Sequence, residues 1–330
     1  MDNILKKILV ATICISFLTV IIYEGTNVFG ASHHPSTTVN SNNENSPYDY
    51  TFVWMSDTQY YSKNYPHIYK SMVDWIAGNK RDFNIPYVFH TGDVVNEWNN
   101  EAQWQYADTY MNVLEKANIP YGILAGNHDI DLKSSNKYTQ FSKYFGKTRF
   151  SKQTSYGGSY QNNQGHFDLI SENGDDFIMI YMGWGITKDE INWVNRVLAK
   201  YPHHTALLSF HDYLLASGKH SSIGKEIFEK IVEPNKNVVA TLSGHYYGSN
   251  TRIDEIDDNN DGKPDRKVYQ MMANYQHETE GGQGYMRLLK VKSKENKIYV
   301  ETYSPYLNSY KHDDPQSSHG KNEMVIELPD

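Results

Sequence analysis

One cysteine, Cys14, is all the thiol that the 330 residues carry, and it lies inside an apolar run, Ile8–Ile22, near the amino terminus. Ala11-Thr12-Ile13 ahead of it is a poor context for lipid attachment. A chain processed beyond that run holds no thiol, which excludes disulfides, cysteine nucleophiles and cysteine-based zinc sites together. A run of lysine and arginine is also missing. The formal charge is -8 at pH 7, and an acidic chain without a basic tract lacks the footprint of a groove that tracks a polyanion. A nucleic-acid polymer is therefore not expected as a partner. No internal repeat is visible either.

The apolar run itself is about 15 residues long, short for a membrane-spanning helix. Lys6 and Lys7 precede it, and Val28-Phe29-Gly30-Ala31 offers small residues beyond it. This order fits a secretory signal cleaved after Gly30, with an uncleaved anchor as the alternative. The expected organisation is a signal peptide over 1–30, a flexible linker over 31–47 rich in Ser, Thr, Asn and His, and one domain over 48–330. His33 and His34 in the linker read as incidental. The expected location is outside the cell, secreted or on its surface, with membrane contact only through the signal or anchor.

Three apolar runs then end alike. Tyr50–Met55 leads into Ser56-Asp57-Thr58-Gln59, Pro86–His90 into Thr91-Gly92-Asp93, and Ile119–Ala125 into Gly126-Asn127-His128-Asp129. The polar groups recur about 35 residues apart, one strand-helix-strand unit. Between them Pro66–Asn79 and Glu101–Ala117 carry helical apolar spacing, so this half is α/β with a parallel sheet. Such a sheet gathers the carboxyl ends of its strands on one edge. Further runs at Gly165–Ile170, Phe177–Met182, Thr205–Phe210 and Val238–Leu242 continue the pattern, with a helix over Lys188–Lys200 announced by Thr187 and Glu190 at capping-box spacing. The Thr205 run ends at His211-Asp212, and the Val238 run ends at Ser243-Gly244-His245-Tyr246-Tyr247. Lys133–Tyr160, polar and tyrosine-rich, reads as a long surface excursion near the site. From Lys267 onward, short alternating runs such as Tyr285–Val291 and Lys297–Thr302 predict antiparallel strands. The 27 tyrosines read as half-buried strand residues rather than as a stacking platform.

Singly, a strand-end aspartate or buried histidine is most often a structural group. Recurring together, Asp57, Asp93, Asn127, His211 and His245 form an oxygen and imidazole donor set without thiolate, suited to Mn, Fe, Zn or Mg. His128 follows Asn127 and is placed to face whatever such ions hold. Asp129 is expected to hydrogen-bond the His128 ring and favour a protonated acid.

The residues Asp57, Gly92-Asp93, Gly126-Asn127-His128-Asp129, His211 and Gly244-His245, in this order, resemble the calcineurin-like metallophosphoesterases, a family that includes the purple acid phosphatases. The resemblance covers about Tyr50 to Tyr247. It implies a two-sheet β-sandwich flanked by helices, with a site for two metals at the strand carboxyl ends. By that resemblance Asp93 bridges the metals, and Asn127, His211 and His245 complete the second site. His128 protonates the leaving group or holds the phosphate, and the ions supply a hydroxide for in-line attack. Two positions depart from the family. Gln59 and Tyr247 stand where it has histidines, both in the first site, which keeps Asp57 and Asp93 with Gln59 and Tyr247 as substitute oxygen donors. The purple acid phosphatases bind ferric iron through a tyrosine in the Gly-Asp motif, where this chain has Asn96. One or two divalent ions are therefore expected.

Asp257, Asn259, Asp261 and Asp265 alternate around Gly262 as in a calcium loop, but Val268 occupies the twelfth position in place of glutamate. Any calcium affinity should be low, and a solvated acidic turn is the preferred reading. The sequence thus points to an exported, metal-dependent phosphoesterase acting on a small-molecule or cell-surface phosphoester. Aromatic loops around Tyr60, Tyr61, Trp98 and Tyr246 lean toward diesters. The alternative is a catalytically idle binding protein on the same fold, supported by the two missing histidines and opposed by the retained His128-Asp129 pair.

Overall fold

The computed structural model describes residues 47–313 and 321–329. The expected signal segment, and all but the last residue of the expected linker, lie outside these. The first half alternates β1 (Tyr50–Met55), α1 (Gln59–Lys63), α2 (Pro66–Gly78), β2 (Val88–His90), α3 (Glu101–Lys116) and β3 (Tyr121–Ile123). After α4 (Thr139–Phe145) and α5 (Lys147–Phe150) come β4 (Tyr156–Tyr160), β5 (Gly165–Glu172), β6 (Asp175–Met182), α6 (Lys188–Lys200), β7 (Thr205–Phe210), α7 (Ser222–Ile227) and β8 (Val238–Ser243). The chain closes with β9 (Gly248–Ile256), β10 (Arg266–Asn274), β11 (Met286–Lys292), β12 (Lys297–Ser304), β13 (Ser309–Lys311) and β14 (Met324–Glu327).

Two sheets of seven strands result among the described residues. One runs β13-β12-β11-β1-β2-β3, with β14 also on β12, and the other runs β4-β5-β6-β7-β8-β10-β9. Within β1 the residues divide by the two-residue period of a strand. Tyr50, Phe52 and Trp54 enter the core shared with Phe177, Met179 and Tyr181 of β6, while Val53 and Met55 pack with Ile68, Met72, Trp104 and Met111 of α2 and α3. A third core lies under α6, where Ile191, Val194 and Leu198 meet Ile178, Ile180 and Leu208. The layers are helix, sheet, sheet, helix, as expected for helices flanking a two-sheet sandwich. Among the described residues no helix is long and apolar enough to cross a membrane.

The pairing β1-β2-β3 is parallel, as is β6-β7-β8-β10, so both sheets send strand carboxyl ends toward the candidate site. The capping box at α6 is present, with Thr187 N donating to Glu190 Oε2 at 2.6 Å. Two expectations change. β10 pairs parallel to β8, although the strands after it, β11 and β12, are antiparallel as foreseen. Lys133–Tyr160 is not a loose excursion: Phe141, Phe145 and Phe150 on its short helices are buried in the core under α3. Its abundant Ser, Lys and Tyr hide an apolar stripe of three phenylalanines.

Candidate metal centre

Each candidate ligand sits just past a parallel strand, at a sharp change of chain direction. Asp57, Asp93 and His245 have φ of 53°, 53° and 67°, a left-handed conformation uncommon for residues with a side chain and found where surrounding structure enforces it. Two glycines allow the crowding. A Cβ at Gly126 would lie 2.1 Å from Asp93 Oδ1, and one at Gly244 would lie 2.1 Å from Asp57 Oδ2.

Asp93, His211 and His245 offer ligand atoms that all lie within 4.8 Å of one another. His211 Nδ1 donates to the Thr91 carbonyl at 2.8 Å, which turns Nε2 toward Asn127 Oδ1 and Asp93 Oδ2, each at 3.2 Å. Burial alone would lower the His211 imidazole, but Asp93 and then Asp57 outweigh it and carry it up to about 10. Burial pushes the Asp57 carboxyl up to about 7, with Asp93 adding to the rise and His211 opposing it. Carboxylate, amide and imidazole atoms held this close suit a divalent ion bound by oxygen and nitrogen. The four residues expected at the second site are thus brought together.

The first site is partly assembled. Gln59 is fully buried, and its Nε2 donates to Asp93 Oδ2 at 3.1 Å. Among the described residues its Oε1 is buried without a partner, an orphaned acceptor on the amide that bonds the Asp93 carboxylate, and one that a cation would satisfy. Asp57 accepts from Ser56 Oγ at 2.5 Å and from the His245 backbone N–H at 3.2 Å. Tyr247 is 50% exposed and stacks on His277 with centroids 4.8 Å apart. Burial and then Tyr60, Asp57 and Asp93 raise its phenol, which favours the neutral form over tyrosinate. The donor set fits a divalent ion among Asp93, Asn127, His211 and His245, and a second beside Asp57, Asp93 and Gln59. Tyr247 stands at the rim.

The expected pairing of Asp129 with the His128 ring does not occur. Asp129 is fully buried and takes Val94 N at 2.8 Å and Val95 N at 2.9 Å on Oδ1, and Gly126 N at 2.8 Å on Oδ2. Its carboxylate ties the Asp93 turn to the Gly126 turn and is used up in doing so. Burial, reinforced by Asp93, pushes it up to about 8, against the pull of these N–H donors. His128 Nδ1 instead donates to the Asn96 carbonyl at 2.8 Å, and the His128 backbone N–H donates to Asp93 Oδ1 at 3.0 Å. Nε2 is left as the ring nitrogen able to exchange a proton.

Several supporting residues escaped the sequence reading. Trp54 Nε1 donates to Thr91 Oγ1 at 3.0 Å, Thr91 Oγ1 to Ser56 Oγ at 2.6 Å, and Ser56 to Asp57. This chain of donors ends on a candidate ligand, in the manner of partners that orient metal-binding carboxylates. His90 holds the Asp93 turn by accepting Gly92 N at 3.2 Å and meeting Thr58 Oγ1 at 2.9 Å. Trp184 follows β6 and lies against His245 and His211, with ring centroids 4.9 and 5.8 Å away. It could have been found by the strand-end rule that found the others. Away from the site, the acidic turn between β9 and β10 is exposed and bonded to itself. Asp257 accepts Gly262 N at 2.7 Å, Asn259 Oδ1 accepts Asp261 N at 2.8 Å, and Asp265 Oδ1 accepts Asn259 Nδ2 at 3.0 Å.

Residues 50–248 match the family model of the calcineurin-like phosphoesterases. YvnB of Bacillus subtilis strain 168, described as uncharacterized, is 54% identical over 279 residues; the match covers 84% of this chain and 22% of that protein, so the chain spans under a quarter of its relative. Among solved structures, a purple acid phosphatase from yellow lupin (Lupinus luteus) seeds aligns with a TM-score of 0.54 and 13% identity, over 84% of this chain and 54% of that one. The likeness to the lupin protein is one of fold, two sheets flanked by helices.

Proposed function

The chain belongs to the calcineurin-like phosphoesterase family, and from that premise we propose that it is a metal-dependent hydrolase of a small or cell-surface phosphomonoester or phosphodiester. The observation that carries the reading is the meeting of Asp93, Asn127, His211 and His245 from four separate strand ends. When bound, divalent ions polarise phosphoryl oxygens and activate water. Asp93 Oδ2 faces both His211 and Gln59, which suits it to join two sites. His128, fixed through Nδ1 on Asn96, keeps Nε2 to hold the phosphate or give a proton to the leaving oxygen. Trp184 packs against the histidine flank. The rim offers Tyr246, packed edge-on against His245, and Tyr247, which supports the lean toward a substrate with two substituents.

Turnover of chromogenic mono- and diesters by the purified protein, with Mn, Fe, Zn or Mg added singly, tests this reading. Hydrolysis with one or more of these ions is expected. No turnover with any of them would leave the idle binding protein, which the exposed Tyr247 at the first site otherwise favours. We further infer export through the amino-terminal segment. Amino-terminal sequencing of protein from the medium should begin near Ala31, and a membrane-held product starting at Met1 would establish the anchor instead.

A further inference from the structure

Beside the candidate metal centre lies a cavity of about 170 Å³ that the hydrolytic reading leaves unexplained. His211 and Trp184 both line it. Ile186, Phe210, Ile223 and Ile227 make its walls apolar. Asp212, adjacent to His211 in sequence, also lines it. Among the described residues, its Oδ1 is buried without a hydrogen-bond partner and no lysine or arginine lines the cavity. A buried carboxylate oxygen with no donor is costly. Small-molecule sites take this form, apolar with a few placed polar groups that fix orientation.

We propose that this cavity is a substrate subsite for a short aminoalkyl substituent on the phosphoester. The protonated primary amine would pair with the Asp212 carboxylate, its methylenes would lie against the isoleucines, and Trp184 would flank the cation. A donor suits this cavity because Asp212 offers acceptors, and a cation is favoured because those acceptors belong to a carboxylate. The indole beside the cavity adds attraction for positive charge. The volume suits two or three heavy atoms beyond the ester oxygen with room for water, and not a nucleoside. The subsite rests on the hydrolase reading for its substrate, but its amine preference can be read by binding alone.

Two comparisons on the purified full chain test it. The first is kcat/KM for 4-nitrophenyl 2-aminoethyl phosphate against the isosteric 4-nitrophenyl propyl phosphate, where the amine should win by roughly tenfold or more. The second is calorimetric binding of 2-aminoethylphosphonate against propylphosphonate to the Mn-loaded protein, with the same order expected. Asp212→Asn should bring both ratios to near one while metal content stays at the wild-type value. Filling the cavity with Ile223→Trp should do the same by a different route. Failure of the hydrolase reading alone would show as no turnover of either ester with the amine preference in binding intact, which supports the subsite. Equal binding of the two phosphonates by wild-type protein overturns it. Loss of metal in Asp212→Asn also overturns it, because Asp212 would then act on the candidate metal ligands rather than on the substituent.

Discussion

Replacing Ser56 with alanine removes the hydroxyl that stands between Thr91 and the Asp57 carboxylate, and little else. Ser56 Oγ donates to Asp57 Oδ2 at 2.5 Å and is itself fed by Thr91 Oγ1 at 2.6 Å, behind which Trp54 Nε1 donates at 3.0 Å. Burial already drives Asp57 toward its neutral form, with Ser56 and the His245 backbone N–H among the groups that resist. A hydrogen bond to a charged group contributes about 1.5–3 kcal/mol, so losing this one should weaken metal binding at the Asp57 side by roughly 10- to 150-fold. Manganese binding measured by chelator competition reads this directly. Ser56→Thr keeps the hydroxyl and should stay near wild type. If Ser56→Ala binds as tightly as wild type at every site, the donor chain does not hold the ligand and the account of Asp57 is wrong.

His128→Ala should lower turnover by roughly a hundredfold or more with metal content unchanged, because general-acid help is of that size; parallel loss of metal would mark His128 as a ligand. Asp93→Ala should empty both sites, and two metals retained per chain by elemental analysis would remove it as the shared residue. Asp129→Ala leaves the buried N–H groups of Val94, Val95 and Gly126 without their acceptor and should cost on the order of 3 kcal/mol or more of stability in urea denaturation. A loss below about 1 kcal/mol would mean that the carboxylate is not the tie between the two turns.

What could be read from the sequence was what repeats along the chain. β1, β2, β3, β7 and β8 each announce themselves as an apolar run that stops at a polar group, and each delivers its residue to the site. What stayed hidden depends on backbone atoms or on distant pairing. The partner of His128 is the carbonyl of Asn96, which no side-chain pattern encodes, whereas the carboxylate next door in sequence drew attention and proved to be a tie for two turns. β10 runs parallel to β8 because the β9-β10 hairpin reverses the chain between them, a register set by tertiary packing. Ser56 and Thr91 are small and common, and only their meeting with Trp54 across β1 and β2 gives them a role. Trp184 was within reach, since it ends a strand like the rest.

The strand-end cluster is expected to hold the ion on which the proposed hydrolysis depends. Manganese titrated into chelator-stripped protein, with occupancy and bis(4-nitrophenyl) phosphate turnover followed on the same sample, tests this dependence. Turnover should rise from background in proportion to metal bound and vanish again when the chelator is restored. Full turnover by the stripped protein, or full occupancy without turnover, would contradict it.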